Sequence, residues 1–147
     1  MKSAISTVLD RKGRQVWSVS PSSTVHEAIG QMVERRIEAL PVVADGALVG
    51  IITERDCARR VMLTGKSLKD VRVSEVMTSP VVFVTEAHTI GDCLQILSEK
   101  GFAHLPVLTG PTMVGLISMG DLVTALVNDR ESTISHLEGY ISGRYPG

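Results

Sequence analysis

Two short spacings in this chain can do chemistry: Thr53 followed three residues later by Asp56, and Ser118 followed three residues later by Asp121. In each, a run of aliphatic residues ends on a hydroxyl and a helix starts at once, so the hydroxyl stands at the N-cap and the carboxylate at N3. Such a junction offers unpaired N–H groups and the positive end of a helix dipole to an anion, and the hydroxyl can donate one more hydrogen bond. An ionised aspartate only accepts hydrogen bonds, so it suits a sugar diol rather than a phosphate. A ligand carrying both ribose and phosphate satisfies the pair. The same residues also form a capping box that satisfies the helix's own N–H groups and needs no ligand. Gly50 and Gly115, three residues before each hydroxyl, permit either close approach of a ligand or tight sheet packing.

Other chemistry finds little support. There is no nucleophile elbow, P-loop or GxGxxG segment, and His26, His88, His104 and His136 are scattered. Cys57 and Cys93 lie outside any zinc-binding spacing and read as reduced thiols, with Cys93 a small core residue. These features predict neither catalytic residues nor a metal site. A formal charge of −1 and 3% aromatic residues leave little to track or stack on a nucleic acid. Without a signal-like segment or an apolar run of membrane length, the expected location is cytoplasmic, with no membrane partner.

The elements that must position these residues come from a duplication. Leu40-Pro41-Val42 through Asp56 matches Leu105-Pro106-Val107 through Asp121 without a gap, each residue 65 positions from its counterpart. The spacing predicts two units of the form β-α-β-β-α in an α/β (α+β) fold, over 16–65 and 81–128, with a lead-in at 1–15, a linker at 66–80 and a C-terminal helix and tail at 129–147. At 147 residues with 44% apolar content, each half buries a marginal core alone, so the halves are expected to pack together.

Within the first unit, Val16–Val19 reads as a strand, and Thr24 with Glu27 forms a capping box for a helix with Val25, Ile29, Met32 and Val33 inward. Leu40–Val43 and Leu48–Thr53 form a hairpin around Asp45-Gly46. A helix then runs from Thr53 to about Leu63 and stops near Gly65. The linker carries one helical turn, Ser74–Met77. The second unit repeats the order: strand Val81–Val84, a helix capped by Thr89 with Ile90, Leu94 and Leu97 inward, a hairpin turning at Gly110-Pro111, and a helix over Asp121–Val127. Ile5–Leu9 reads as a short helix or turn before the polar run Asp10–Arg14, and Ser132–Ile141 as a last helix.

This twice-repeated Leu-Pro-Val, then Gly, two aliphatic residues, Thr or Ser, two residues and Asp, resembles the tandem CBS domain pair, or Bateman module. The resemblance covers about Val16 to Val127 and identifies the chain as similar to stand-alone CBS-domain proteins. It implies two repeats packed with pseudo-twofold symmetry, and clefts that hold adenine nucleotides: AMP, ADP, ATP, NAD(H) or S-adenosylmethionine. It places ribose on Asp56 and Asp121, phosphate contacts on Thr53 and Ser118, and a basic phosphate contact on His104. Glu38-Ala39 stands at the position of His104 in the first copy, so the second site is expected to be the stronger. Trp17, Ile37, Val82 and Phe102 would line the adenine slot. Gly120 would leave room for ligand, and Arg55 either adds charge for the phosphate or is a solvated first-turn residue. The family also implies a homodimer. A regulatory nucleotide sensor acting on another protein is the first functional reading, a ligand-free dimerising scaffold the second, and an enzyme the last.

Overall fold

The computed structural model describes residues 2–128, and the Ser132–Ile141 helix and the tail lie outside them. Helices and two small two-stranded sheets make an α+β fold. The chain forms two compact units. One, the α1 unit, named for helix α1 (Ile5–Lys12), contains residues 2–14, Val84–Val107 and 115–128; the other, the α2 unit, named for helix α2 (Val25–Arg35), contains Gln15–Phe83 with Leu108–Val114.

The α2 unit is built from α2 (Val25–Arg35), the hairpin β1 (Ala39–Ala44) and β2 (Ala47–Thr53), α3 (Glu54–Thr64), a single 3-10 turn at Leu68–Asp70 and the short α4 (Val73–Val76). The Asp45-Gly46 turn takes positive φ at both residues, 50° and 78°, the geometry of a type I′ hairpin. β1 and β2 pair antiparallel from Ala39↔Thr53 to Ala44↔Ala47, with a register shift between Val42 and Val43. The Thr24 hydroxyl accepts from the Glu27 amide at 3.1 Å, and α3 stops at Gly65 with φ 70°. Val25, Ala28 and Met32 are the buried face of α2, whereas Val33 is 67% exposed. Val33 sits about 80° around the helix from Val25, outside the arc the sheet covers. Ala28 takes the inward place instead.

In the α1 unit, α1 (Ile5–Lys12) is longer than the sequence suggests, absorbing Asp10, Arg11 and Lys12 before Gly13 ends it. Its face of Ile5, Val8 and Leu9 is buried. Two bonds tie its start to the segment before α5 (Ile90–Lys100): the Ile5 amide donates to His88 O at 2.8 Å, and the Ile90 amide to Ser3 O at 2.9 Å. Thr89 and Asp92 complete a reciprocal capping box. Ile90, Cys93 and Leu97 point inward, with Leu94 half-buried at the edge. β3 (His104–Thr109) pairs with β4 (Thr112–Ser118), of which His104–Val107 and Gly115–Ser118 belong to this unit, and α6 (119–128) follows.

The two predicted first strands reduce to one paired residue each. Val19 bridges Val42 and Val84 bridges Val107, both parallel. Both valines are buried while their neighbours Ser18, Ser20, Phe83 and Thr85 are exposed, so one inward residue anchors one bridge and no ladder extends.

The glycines before the two junctions are settled by packing. A Cβ on Gly115 would stand 2.5 Å from a methyl of Leu9 on α1, and one on Gly50 would stand 2.5 Å from Met77 Sδ and 3.2 Å from Thr78 O. Each sheet is therefore crossed closely by a preceding helical segment. Ile5, Ser6, Val8 and Leu9 correspond to Val73, Ser74, Val76 and Met77, each 68 positions on. α1 crosses the sheet that carries Gly115, and the end of α4 crosses the one that carries Gly50.

Candidate functional site

Each unit brings the residues before Leu-Pro-Val against its strand-to-helix junction. In the α2 unit the Glu54 amide donates to Glu38 O at 3.0 Å, placing Ile37–Ala39 beside Thr53. In the α1 unit the Met119 amide donates to Ala103 O at 2.8 Å, placing Phe102–His104 beside Ser118. The junctions themselves are capped. Thr53 Oγ1 accepts from the Asp56 amide at 3.0 Å, and Ser118 Oγ accepts from the Asp121 amide at 3.0 Å. In the second, Asp121 Oδ2 also accepts from the Ser118 amide at 2.8 Å, closing a full capping box.

The two carboxylates differ in their partners. Asp56 meets the Thr78 hydroxyl at 3.5 Å, the outer edge of a hydrogen bond. Asp121 Oδ2 is also bound by the Lys12 ammonium at 2.5 Å, and the same ammonium donates to Leu116 O. Burial pushes the Asp121 carboxyl up, but Lys12 and the Ser118 amide and hydroxyl outweigh it and hold the group below its ordinary value. This inequality follows from the length of α1. Where α4 ends at Val76 and the chain pairs Thr78 with Ile51, α1 continues for another turn and delivers Arg11 and Lys12.

Beside Asp121, a cavity of about 460 Å³ opens between α1 and α6. Arg11, Lys12, Asp121, Ser3, Thr7, Thr124 and Asn128 supply its polar lining, and Val8, Ile90 and Ala125 its apolar wall. Of the residues singled out from sequence, Asp121 alone lines it.

The CBS domain family model matches residues 9–63 and 73–128. This chain belongs to the CBS-domain family. It is 33% identical to the mitochondrial CBS domain-containing protein CBSX3 of Arabidopsis thaliana, over 96% of this chain and 73% of that protein. It is 34% identical to the CBS domain-containing protein YhcV of Bacillus subtilis, over 80% of this chain and 84% of that one. A CBS-domain protein of Burkholderia ambifaria named for signal transduction superposes with a TM-score of 0.83 at 38% identity, covering 86% of this chain and 96% of its own. The family is one of regulatory and signal-transduction modules, and the match extends through both CBS repeats.

The remaining nominated residues are distributed between the units that hold the two repeats. Trp17 and Ile37 pack on the edge of the α2-unit core, where the Arg35 guanidinium lies 3.3 Å from the Trp17 ring centroid. Val82 is half-buried in the same unit, and Arg55 is exposed on the first turn of α3. In the α1 unit, Phe102 and His104 are half-buried, and Gly120 is exposed with only Ser118 Oγ near the place of a Cβ, at 3.6 Å. Lys12, Arg11 and Arg35 were not among the residues read from the CBS motif. The signal for the first two was local: basic residues followed by Gly13 mark the last turn of a helix, which extends α1 past Leu9.

Among the described residues, no cluster of three His, Cys, Asp or Glu side chains stands close enough for a metal ion. No described helix is long and apolar enough to cross a membrane.

Proposed function

We propose that this protein is a regulatory sensor of adenine nucleotides, taking AMP, ADP, ATP or NAD(H), with S-adenosylmethionine as a further ligand of the same class. The observation that carries this reading is the duplicated junction. In both units a hydroxyl at the N-cap and a carboxylate at N3 stand beside the segment that precedes Leu-Pro-Val. Thr53 and Ser118 hydrogen-bond phosphate, while Asp56 and Asp121 accept from the ribose hydroxyls. The bonds recorded for the Asp121 carboxylate fall on Oδ2, so Oδ1 keeps acceptor capacity for a sugar. His104 makes the second-repeat site the stronger, since its counterpart in the first repeat is Ala39 after Glu38. Trp17, Ile37, Val82 and Phe102 supply apolar contact to the base, Gly120 leaves room for ligand, and Arg55 reaches a phosphate. Nucleotide binding regulates another protein by favouring one of two conformational states, which requires different affinities for them. The sensor works as a cytoplasmic homodimer.

The test is thermal unfolding against each nucleotide, with Asp56→Ala and Asp121→Ala alongside. Ligand at about 100 times Kd stabilises by roughly 2.7 kcal/mol, a shift of several degrees at this size. The expected result is a shift for one nucleotide that is lost in Asp121→Ala and reduced in Asp56→Ala. An equal shift in both variants would reject the ribose assignment. The scaffold reading has its own support in Met62 and Leu63, which are 79% and 87% exposed on α3 and offer an apolar surface for self-association. It is favoured if no nucleotide shifts a folded protein.

A further inference from the structure

We infer that the groove between α1 and α6 binds a small organic phosphate, held by the Arg11 guanidinium and the Lys12 ammonium. The groove shares Asp121 with the nucleotide reading and goes beyond it: Ser118, His104 and Phe102 do not line it, and adenine is not required.

The two cations reach the cavity from the last turn of α1, and Thr124 adds a hydroxyl from α6, whereas the Thr7 hydroxyl on the opposite wall donates to Ala4 O at 2.6 Å. Complementing the helix dipole explains a basic last turn, but it does not explain why both cations converge with the Thr124 hydroxyl and Asn128 on one cavity. Lys12 offsets the charge of Asp121 and donates to Leu116 O, so the uncompensated positive charge of the groove is that of Arg11, and Lys12 contributes its remaining N–H. Arg11 forms no ion pair within the described residues, so its planar fork is available for two phosphate oxygens. The apolar wall of Val8, Ile90 and Ala125 suits an uncharged organic body, and about 460 Å³ is ample for a sugar phosphate.

The other unit has a different side chain at the corresponding place. There Arg60 of α3 lies close to α4, its Nη1 donating to Val76 O at 2.7 Å and Met77 O at 3.1 Å. Its counterpart 65 positions on is Ala125, which lines the cavity. A small residue thus stands at the cavity where the other repeat has an arginine.

The experiment is amide chemical-shift titration of the full chain with ribose 5-phosphate, AMP, inorganic phosphate and adenosine. Ribose 5-phosphate is expected to move the amides of Thr7, Arg11, Thr124 and Asn128, with AMP moving the same set if a nucleoside monophosphate is the source. Arg11→Gln and Lys12→Gln should each weaken this binding at least tenfold, while Arg59→Gln, exposed on α3 of the other unit, leaves it unchanged. Thr124→Val, an exposed substitution, tests the groove without touching charge and should weaken binding severalfold. Adenosine should leave these amides in place. The proposal is overturned if no organic phosphate moves them, if inorganic phosphate binds as tightly as ribose 5-phosphate, or if Arg11→Gln binds like the parent. Failure of the nucleotide reading is seen separately, as undisturbed amides at Thr53, Asp56 and Ser118 with adenine nucleotides.

Discussion

Asp121 combines roles that usually fall to separate residues. It closes a capping box, holds Lys12 and is the proposed acceptor for a sugar hydroxyl. Its folded ionisation lies below the ordinary carboxylate value, so the sign of its pH effect is fixed. The stabilisation is complete above the unfolded value of about 4 and is lost as pH falls through the lower folded value. Both partners keep substantial contact with water, 36% for Lys12 and 24% for Asp121, so their ion pair is worth at most about 1 kcal/mol. Urea denaturation should therefore find Asp121→Asn less stable than the parent by about that amount at pH 7, with the gap closing below pH 4. A gap that persists unchanged to pH 2 would mean that the carboxylate's charge is not what stabilises this junction.

At the level of elements, each sheet is organised by a helical segment passing over a glycine. Gly115 admits Leu9, and Gly50 admits Met77, with contacts too close for any Cβ. Gly115→Ala should cost about 1–3 kcal/mol, the usual penalty for overpacking. The clash involves Leu9 Cγ as well as its methyls, so rotating the chain end does not relieve it. Leu9→Ala destabilises through lost burial, yet combined with Gly115→Ala it should restore part of the loss, giving a measurable coupling in a double-mutant cycle. Additive effects would show that Leu9 does not press on this strand. The same geometry explains why glycine at these positions could be read from sequence but not its purpose. A glycine signals close approach, and only the folded chain reveals that the approaching atoms are its own.

Across the whole molecule the two units each carry an internal reporter. Cys57 is buried in the α2 unit and Cys93 in the α1 unit, and burial raises both thiols to about 11. At pH 8 only about one thiol in a thousand is then a thiolate, and access is blocked as well. A disulfide reagent should leave both unreacted in the native protein and label both on unfolding. Gly115→Ala should expose Cys93 ahead of Cys57, because it loosens the unit that contains Cys93. Simultaneous labelling of the two would show that the units open as one.

The sequence by itself determined what depends on near neighbours. The caps at Thr24, Thr53, Thr89 and Ser118, the Asp45-Gly46 turn and the stop at Gly65 were legible because each satisfies backbone groups within a few residues. The duplication added the family and the paired junctions, since two aligned copies fix which residues matter without any contact being known. The tertiary structure decided what depends on residues distant in sequence. Lys12 meets Asp121 across 109 positions, and α1 joins the unit that contains most of the second repeat. The repeat of Ile5-Ser6 and Val8-Leu9 in Val73-Ser74 and Val76-Met77 marked the two helical segments as equivalents, but not which sheet each would cross. That choice is made by apolar faces finding complementary surface, an energy that local periodicity does not carry.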